Sequence, residues 1–310
     1  MLGAVLIAMR FLQYSGAMIL LGSSLFFVYA LPAEGGCAAK FRAWPRPLLA
    51  CGAALVLLGA LMGLVAQTGV LAGSFSEGLK PDNLVIAVTQ MNFGSSALVR
   101  AAVAAILFLV VAFCAPSHPL WIGCASGGAV ISASLAWMGH GAGTEGAAGI
   151  LHLLGDIAHA LAASIWIGAL IAFVFLLLRD RVDAQSDEAL YKALRRFSGI
   201  GAATVAVIVL SGLVNSWFLV GPGRLLDFWT TTYGRVLLAK LFAFAAMLCL
   251  AALNRYRLTP ALGKALALPA SRGAIRAALR RSLFLETVAA LAVLGLVALL
   301  GTLPPVTSGL

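Results

Sequence analysis

Long apolar runs broken by short polar connections make up almost the whole chain. Eight runs recur, at roughly 6–31, 48–71, 94–114, 119–139, 151–178, 198–220, 235–254 and 282–302. A hydrocarbon core about 30 Å thick needs about 20 helical residues, so each run is long enough to cross a bilayer. The pattern predicts an all-α polytopic membrane protein with eight transmembrane helices. The longest connection, about 255–281, leaves no room for a soluble domain. Composition agrees: 62% of the 310 residues are hydrophobic and 10% charged, with a mean hydropathy of +1.03. These values exclude a soluble globular domain. The first run has no basic segment before Arg10 and is too long for a removable leader, so it reads as a retained span.

A net charge of +10 raises nucleic acid as a partner, and its distribution removes that reading. Lys40, Arg42 and Arg46 follow the first span; Arg179, Arg181, Lys192, Arg195 and Arg196 follow the fifth. Arg255, Arg257, Lys264, Arg272, Arg276, Arg280 and Arg281 follow the seventh. The opposite connections hold only Lys80, Arg224 and Arg235. By the positive-inside rule the rich side is cytoplasmic and both termini are periplasmic. Arg272, Arg276, Arg280 and Arg281 also suit an interfacial helix resting on anionic headgroups. All five cysteines map to the cytoplasmic side, and no C-x-x-C pair suggests a thiolate metal site.

The halves repeat. Arg10-x-x-Gln13 with Gly22 corresponds to Asp156-x-x-His159 with Gly168, and Gly63-Leu64-Val65 to Gly212-Leu213-Val214. Gly94 with Arg100 corresponds to Gly234 with Lys240, and Gly139 to Gly301. Four spans per half is an even number, so the pattern predicts two parallel four-helix repeats, 1–140 and 141–310. Gln13 stands where His159 stands and Arg10 where Asp156 stands, which predicts one asymmetric site in the second half.

That site centres on His152, Asp156 and His159. At 100° per residue they fall at about 0°, 40° and −20°, on one helix face. Ionisable groups in a span face the bundle interior or a water-filled cavity. Imidazole binds copper, zinc, iron or nickel, and thioether sulfur selects Cu(I). The metal candidates are therefore His140, His152, His159, Met138 and Met91, supported by Asp156, Asn215, Tyr233, Lys240, Arg100 and Gln13. His152 and His159 lie about 10.5 Å apart along the axis, too far to share one ion unaided. His118 reads as solvated, and Met18 and Met62 as packing residues. Glu286 reads as structural, paired with Arg255, with a proton or ion exit path as the alternative.

Several stretches resemble the CopD copper-resistance membrane proteins: Phe228 to Lys240 (FWTTTYGRVLLAK), Ala252-Leu253-Asn254-Arg255, and His152…Asp156-x-x-His159…Trp166-x-Gly168. Phe197-Ser198…Ser211-Gly212-Leu213-Val214-Asn215-x-Trp217 and Glu286…Gly301-Thr302-Leu303-Pro304-Pro305 fit as well. The match is specific over about 195–305. The resemblance implies a bacterial inner-membrane protein of copper homeostasis that moves copper, usually beside a periplasmic copper-binding partner. Copper ion is then the expected cargo, with no enzymatic activity. No Walker loop or phosphorylation domain is present, so an ATP-driven pump is excluded. Two alternatives remain: a haem b- or quinone-linked redox protein with His140 and His159 as axial ligands, and a copper-binding scaffold.

Overall fold

The computed structural model describes residues 2–30, 45–139, 146–179, 184–224, 227–267 and 269–309. Among them are eight helices long and apolar enough to cross a membrane: Leu2–Ala30, Pro45–Ala72, Asn92–Phe113, His118–Met138, Gly146–Leu178, Ser186–Leu219, Thr232–Ala265 and Ser271–Leu300. The chain is an all-α polytopic membrane protein, as its hydrophobic pattern predicts. Backbone polar groups in hydrocarbon must be satisfied internally, which long helices achieve and irregular backbone does not.

The first span is the spine of the bundle and packs on the second, fourth, fifth and eighth. Its path loosens into a π turn at Ile19–Ser23, and there it crosses the fifth span at Gly22 and Gly168. A Cβ on Gly168 would lie 2.1 Å from the Met18 carbonyl oxygen and 2.6 Å from Gly22 Cα. Only glycines allow two helix backbones to approach so closely, and small residues drive such contacts in membranes. The Ser23 hydroxyl donates to the Gly168 carbonyl across the crossing (2.8 Å).

The Arg10 guanidinium donates to the carbonyl of Gly301, joining the first span to the end of the eighth. Both chain ends therefore belong to one end of the bundle, the terminal end; the other is the basic end. The short helices Phe75–Gly78 and Pro81–Gln90 lie between the second and third spans.

The sixth and seventh spans are peripheral, with most of their surface outside the protein interior. The sixth packs on the fifth and the seventh on the eighth. They approach each other at the basic end, where Thr259–Ala265 packs on the sixth.

At that basic end the structure differs from the sequence reading. The connections read as loops before 198 and 282 are helical from Ala184 and Pro269. Leu190, Ala193, Leu194 and Leu279 are buried there, so apolar contacts continue past the hydrocarbon. Arg276, read as headgroup-facing, is instead buried and bonded to Asp187 (2.6 Å). Arg272 caps the preceding helix by donating to the carbonyls of Ala265 (3.0 Å) and Leu266.

Candidate functional site

His159, Asp156, Asn215, Tyr233 and Lys240 all line one cavity of about 210 Å³ in the terminal half of the bundle. The fifth span supplies His159 and Asp156, the sixth Asn215, and the seventh Tyr233 and Lys240. Tyr14 and Met18 of the first span complete one wall. Asp156 accepts a hydrogen bond from the Asn215 amide (2.6 Å), which binds the fifth span to the sixth. The amide oxygen of Asn215 is buried without a hydrogen-bond partner among the described residues.

The imidazole of His159 is held in one orientation. Its Nδ1 lies 3.0 Å from the Ser211 hydroxyl. Ser211 in turn donates its single proton to the Val207 carbonyl one turn back (2.6 Å). With that proton donated to Val207 the hydroxyl oxygen can only accept, which assigns the ring proton to Nδ1 and leaves Nε2 its lone pair. A metal-binding histidine is commonly fixed in this way by a partner on its second nitrogen.

The other candidates lie elsewhere. His152 is 1% exposed and stacks on Phe218, with ring centroids 4.6 Å apart and planes 12° from parallel; it does not line the cavity. Met138 sits in a second cavity, of about 210 Å³, with Arg10, Gln13, Gln67 and Arg100. Met91 is exposed ahead of the third span. His140 lies outside the described residues. Among those described, no three His, Cys, Asp or Glu side chains come together to hold a metal ion. Trp217 is exposed on the bundle surface.

Gln13 and Arg100 form a structural clamp. Gln13 accepts from Arg100 Nε (2.9 Å) and donates to the Gly59 carbonyl (3.0 Å). Arg100, 2% exposed, also donates to the Ser134 carbonyl (2.8 Å) and the Ser96 hydroxyl (3.3 Å). One guanidinium thus ties the first, third and fourth spans together and satisfies its donors with neutral oxygens.

Sequence reasoning missed three residues. Met18 reads as packing, yet it lines the His159 cavity. Tyr14 lies one residue after Gln13 and was masked by the apolar run around it. Ser211 was visible only inside the family motif. Its role depends on the fifth and sixth spans packing side by side, which spacing along one helix cannot reveal.

A third cavity, of about 280 Å³, lies toward the basic end, lined by Trp166, Asn254, Arg255 and Glu286 among others. Glu286 does not pair with Arg255. Asn254 donates to it (2.8 Å), whereas Arg255 reaches the Ser198 carbonyl (3.0 Å). Along the fifth span the His159 cavity ends at Ile167 and this one begins at Trp166.

Comparison with known proteins places this arrangement in a family. Residues 1–150 match the family described as copper resistance protein D-like, N-terminal domain. Residues 191–300 match copper resistance protein D. The chain is 38% identical over 306 residues to copper resistance protein D of Pseudomonas syringae pv. tomato, covering 96% of each chain. The chain belongs to the copper resistance protein D family. It is also 27% identical to the inner membrane protein YebZ of Escherichia coli (strain K12), over 84% of this chain and 86% of the relative. A 104-residue stretch is 38% identical to copper transport protein CutJ of Bacillus subtilis (strain 168), covering 33% of this chain and 18% of that one. No solved structure matches. None of these relatives lends support to the haem reading.

Proposed function

We propose that this protein handles copper in the bacterial inner membrane and moves the ion across it, taking it into the cavity around His159. The observation that carries the reading is the fixed imidazole. With Nδ1–H held by Ser211, the free Nε2 is a ready metal donor in a cavity that Met18 also lines. Imidazole with thioether is a donor set suited to Cu(I). Asp156 supplies negative charge one turn away, and Lys240 on the facing span shares it when the ion is absent. The copper names of two relatives support copper as cargo.

The charge bias makes the basic end cytoplasmic, so the His159 cavity opens toward the periplasm and can receive the ion from a periplasmic copper-binding protein. The layer around Trp166 and Ile167, with Trp166 edge-on to Phe244 (5.8 Å, 86°), closes the route to the basic end. Passage requires that layer to shift, as in alternating access. The contact between Gly22 and Gly168 supports a duplication, because counterparts meet only beside the axis that relates two repeats.

Copper accumulation in cells tests the reading. Expression of the wild type should change cellular copper, and His159→Ala should return it to the level of cells with empty vector at equal membrane abundance. A His159→Ala protein that moves copper like the wild type refutes it.

A further inference from the structure

The cavity at the basic end carries a second inference, which rests on the transport reading for its coupling to copper. Glu286 is a carboxyl group 1% exposed on a spanning helix, and no guanidinium or ammonium pairs with it among the described residues. An ionised carboxylate is costly to bury unless it is hydrogen-bonded and paired. Three sequence stretches that carry the family resemblance meet at this point. Asn254 Nδ2 donates to Glu286 Oε2 (2.8 Å), and the Trp166 indole faces the same carboxyl. Asn254 begins a π turn, Asn254–Leu258, a helix irregularity frequent at functional sites.

The decisive detail is the other end of the Asn254 amide. Its Oδ1 is buried and accepts no hydrogen bond among the described residues. An amide can present either its NH₂ or its oxygen to a neighbour. To a carboxylate it donates through Nδ2, as seen. To a carboxylic acid it accepts through Oδ1 once the amide has flipped. The pair can therefore satisfy Glu286 in both protonation states, and the orphaned oxygen is the acceptor that the protonated state requires.

We infer that Glu286 and Asn254 form a protonation site that exchanges protons with the cytoplasm and couples them to copper movement. Its route to the surface runs, in this proposal, through a neighbouring cavity. Ser198, Arg255 and Thr259 line both this cavity and a neighbouring one bordered by Tyr191, Arg195 and Tyr256 at the basic end. Around Glu286, Trp166 comes from the fifth span, Ser198 from the sixth, and Asn254 and Arg255 from the seventh. Among the described residues Arg255 is the only other charged one lining the cavity, and it is engaged by the Ser198 carbonyl. The oxygen donors here are hard, so the site suits a proton rather than Cu(I). In the step itself, Glu286 carboxylate takes one proton from cytoplasmic water through this route. It releases that proton to the terminal-end cavity as the ion passes the other way, so one proton crosses for each ion; no bond to copper forms at this site.

Infrared difference spectra of the full-length protein in nanodiscs, between alkaline and acidic buffer, test the site directly. The wild type should gain a carboxylic C=O band on acidification that is absent in Glu286→Gln and moved in frequency in Asn254→Leu. A band unchanged in Glu286→Gln overturns the proposal. Copper binding by purified Glu286→Gln, retained at wild-type stoichiometry, shows that the variant is folded. In vesicles holding a pH-sensitive dye, copper uptake by the wild type should shift the lumenal pH, and Glu286→Gln should give the signal of protein-free vesicles. Equal proton movement in both refutes the coupling. If wild-type vesicles take up no copper, the transport reading falls, while the infrared band still decides the protonation site.

Discussion

Gly168→Ala should separate the two helices that hold Met18 and His159. The new Cβ would lie 2.1 Å from the Met18 carbonyl oxygen, and both this atom and Gly22 Cα (2.6 Å) are backbone. Ordinary contact begins at 3.4 Å, so the helices must part by about 1.3 Å at the crossing, since close-packed interiors do not absorb such a change. Overpacking of this kind costs about 1–3 kcal/mol. The Ser23–Gly168 hydrogen bond, 2.8 Å, would stretch beyond useful length and remove about 1 kcal/mol more. Alanine returns about 1 kcal/mol as the better helix former, so the net destabilisation is about 1–3 kcal/mol. Gly295→Ala is the control, because a Cβ there meets nothing within 4 Å. Thermal unfolding in nanodiscs should show Gly168→Ala and Gly22→Ala melting below the wild type and Gly295→Ala at or above it. Copper affinity should fall in the first two, since Met18 moves with its backbone. Crossing variants that melt and bind like the wild type refute the close approach.

Ser211→Ala frees the His159 ring to take either tautomer and should weaken copper binding about 10–100-fold, read by competition titration with a Cu(I) chelator. Gln13→Leu leaves Arg100 Nε buried without its acceptor and should cost about 1–3 kcal/mol of stability, with copper binding at His159 retained. Breaking the buried Asp187–Arg276 pair with Arg276→Leu should cost about 3–5 kcal/mol. Replacing both partners by leucine should recover most of that loss in denaturant unfolding.

Much of the fold was legible because a bilayer imposes a simple code: about 20 apolar residues for a span and arginine or lysine on one side. The code failed at the basic end. Hydropathy marks where lipid stops, whereas the helices beginning at Ala184 and Pro269 continue because Leu190, Leu194 and Leu279 pack beyond it. Arg276 looks like a headgroup residue until Asp187, far away in sequence, is seen beside it.

The site was legible in part for a related reason. Helical periodicity brought Asp156 and His159 to one face, and both line the same cavity. His152 lies on the same stripe but two turns nearer the end, where Phe218 of the sixth span covers it. Periodicity gives an angle and says nothing of what stands opposite at each height. For the same reason spacing could not show that Met18 lines this cavity while Met138 lines another and Met91 lies ahead of the third span.

The proposed function stands or falls with copper binding to His159 and Met18 in the terminal-side cavity. X-ray absorption spectroscopy of the purified full-length protein loaded with one equivalent of Cu(I) tests it most directly. Copper held by His159 and Met18 should give a mixed nitrogen and sulfur shell, with the sulfur contribution lost in Met18→Leu and the histidine contribution lost in His159→Ala. A shell unchanged in both variants would contradict it.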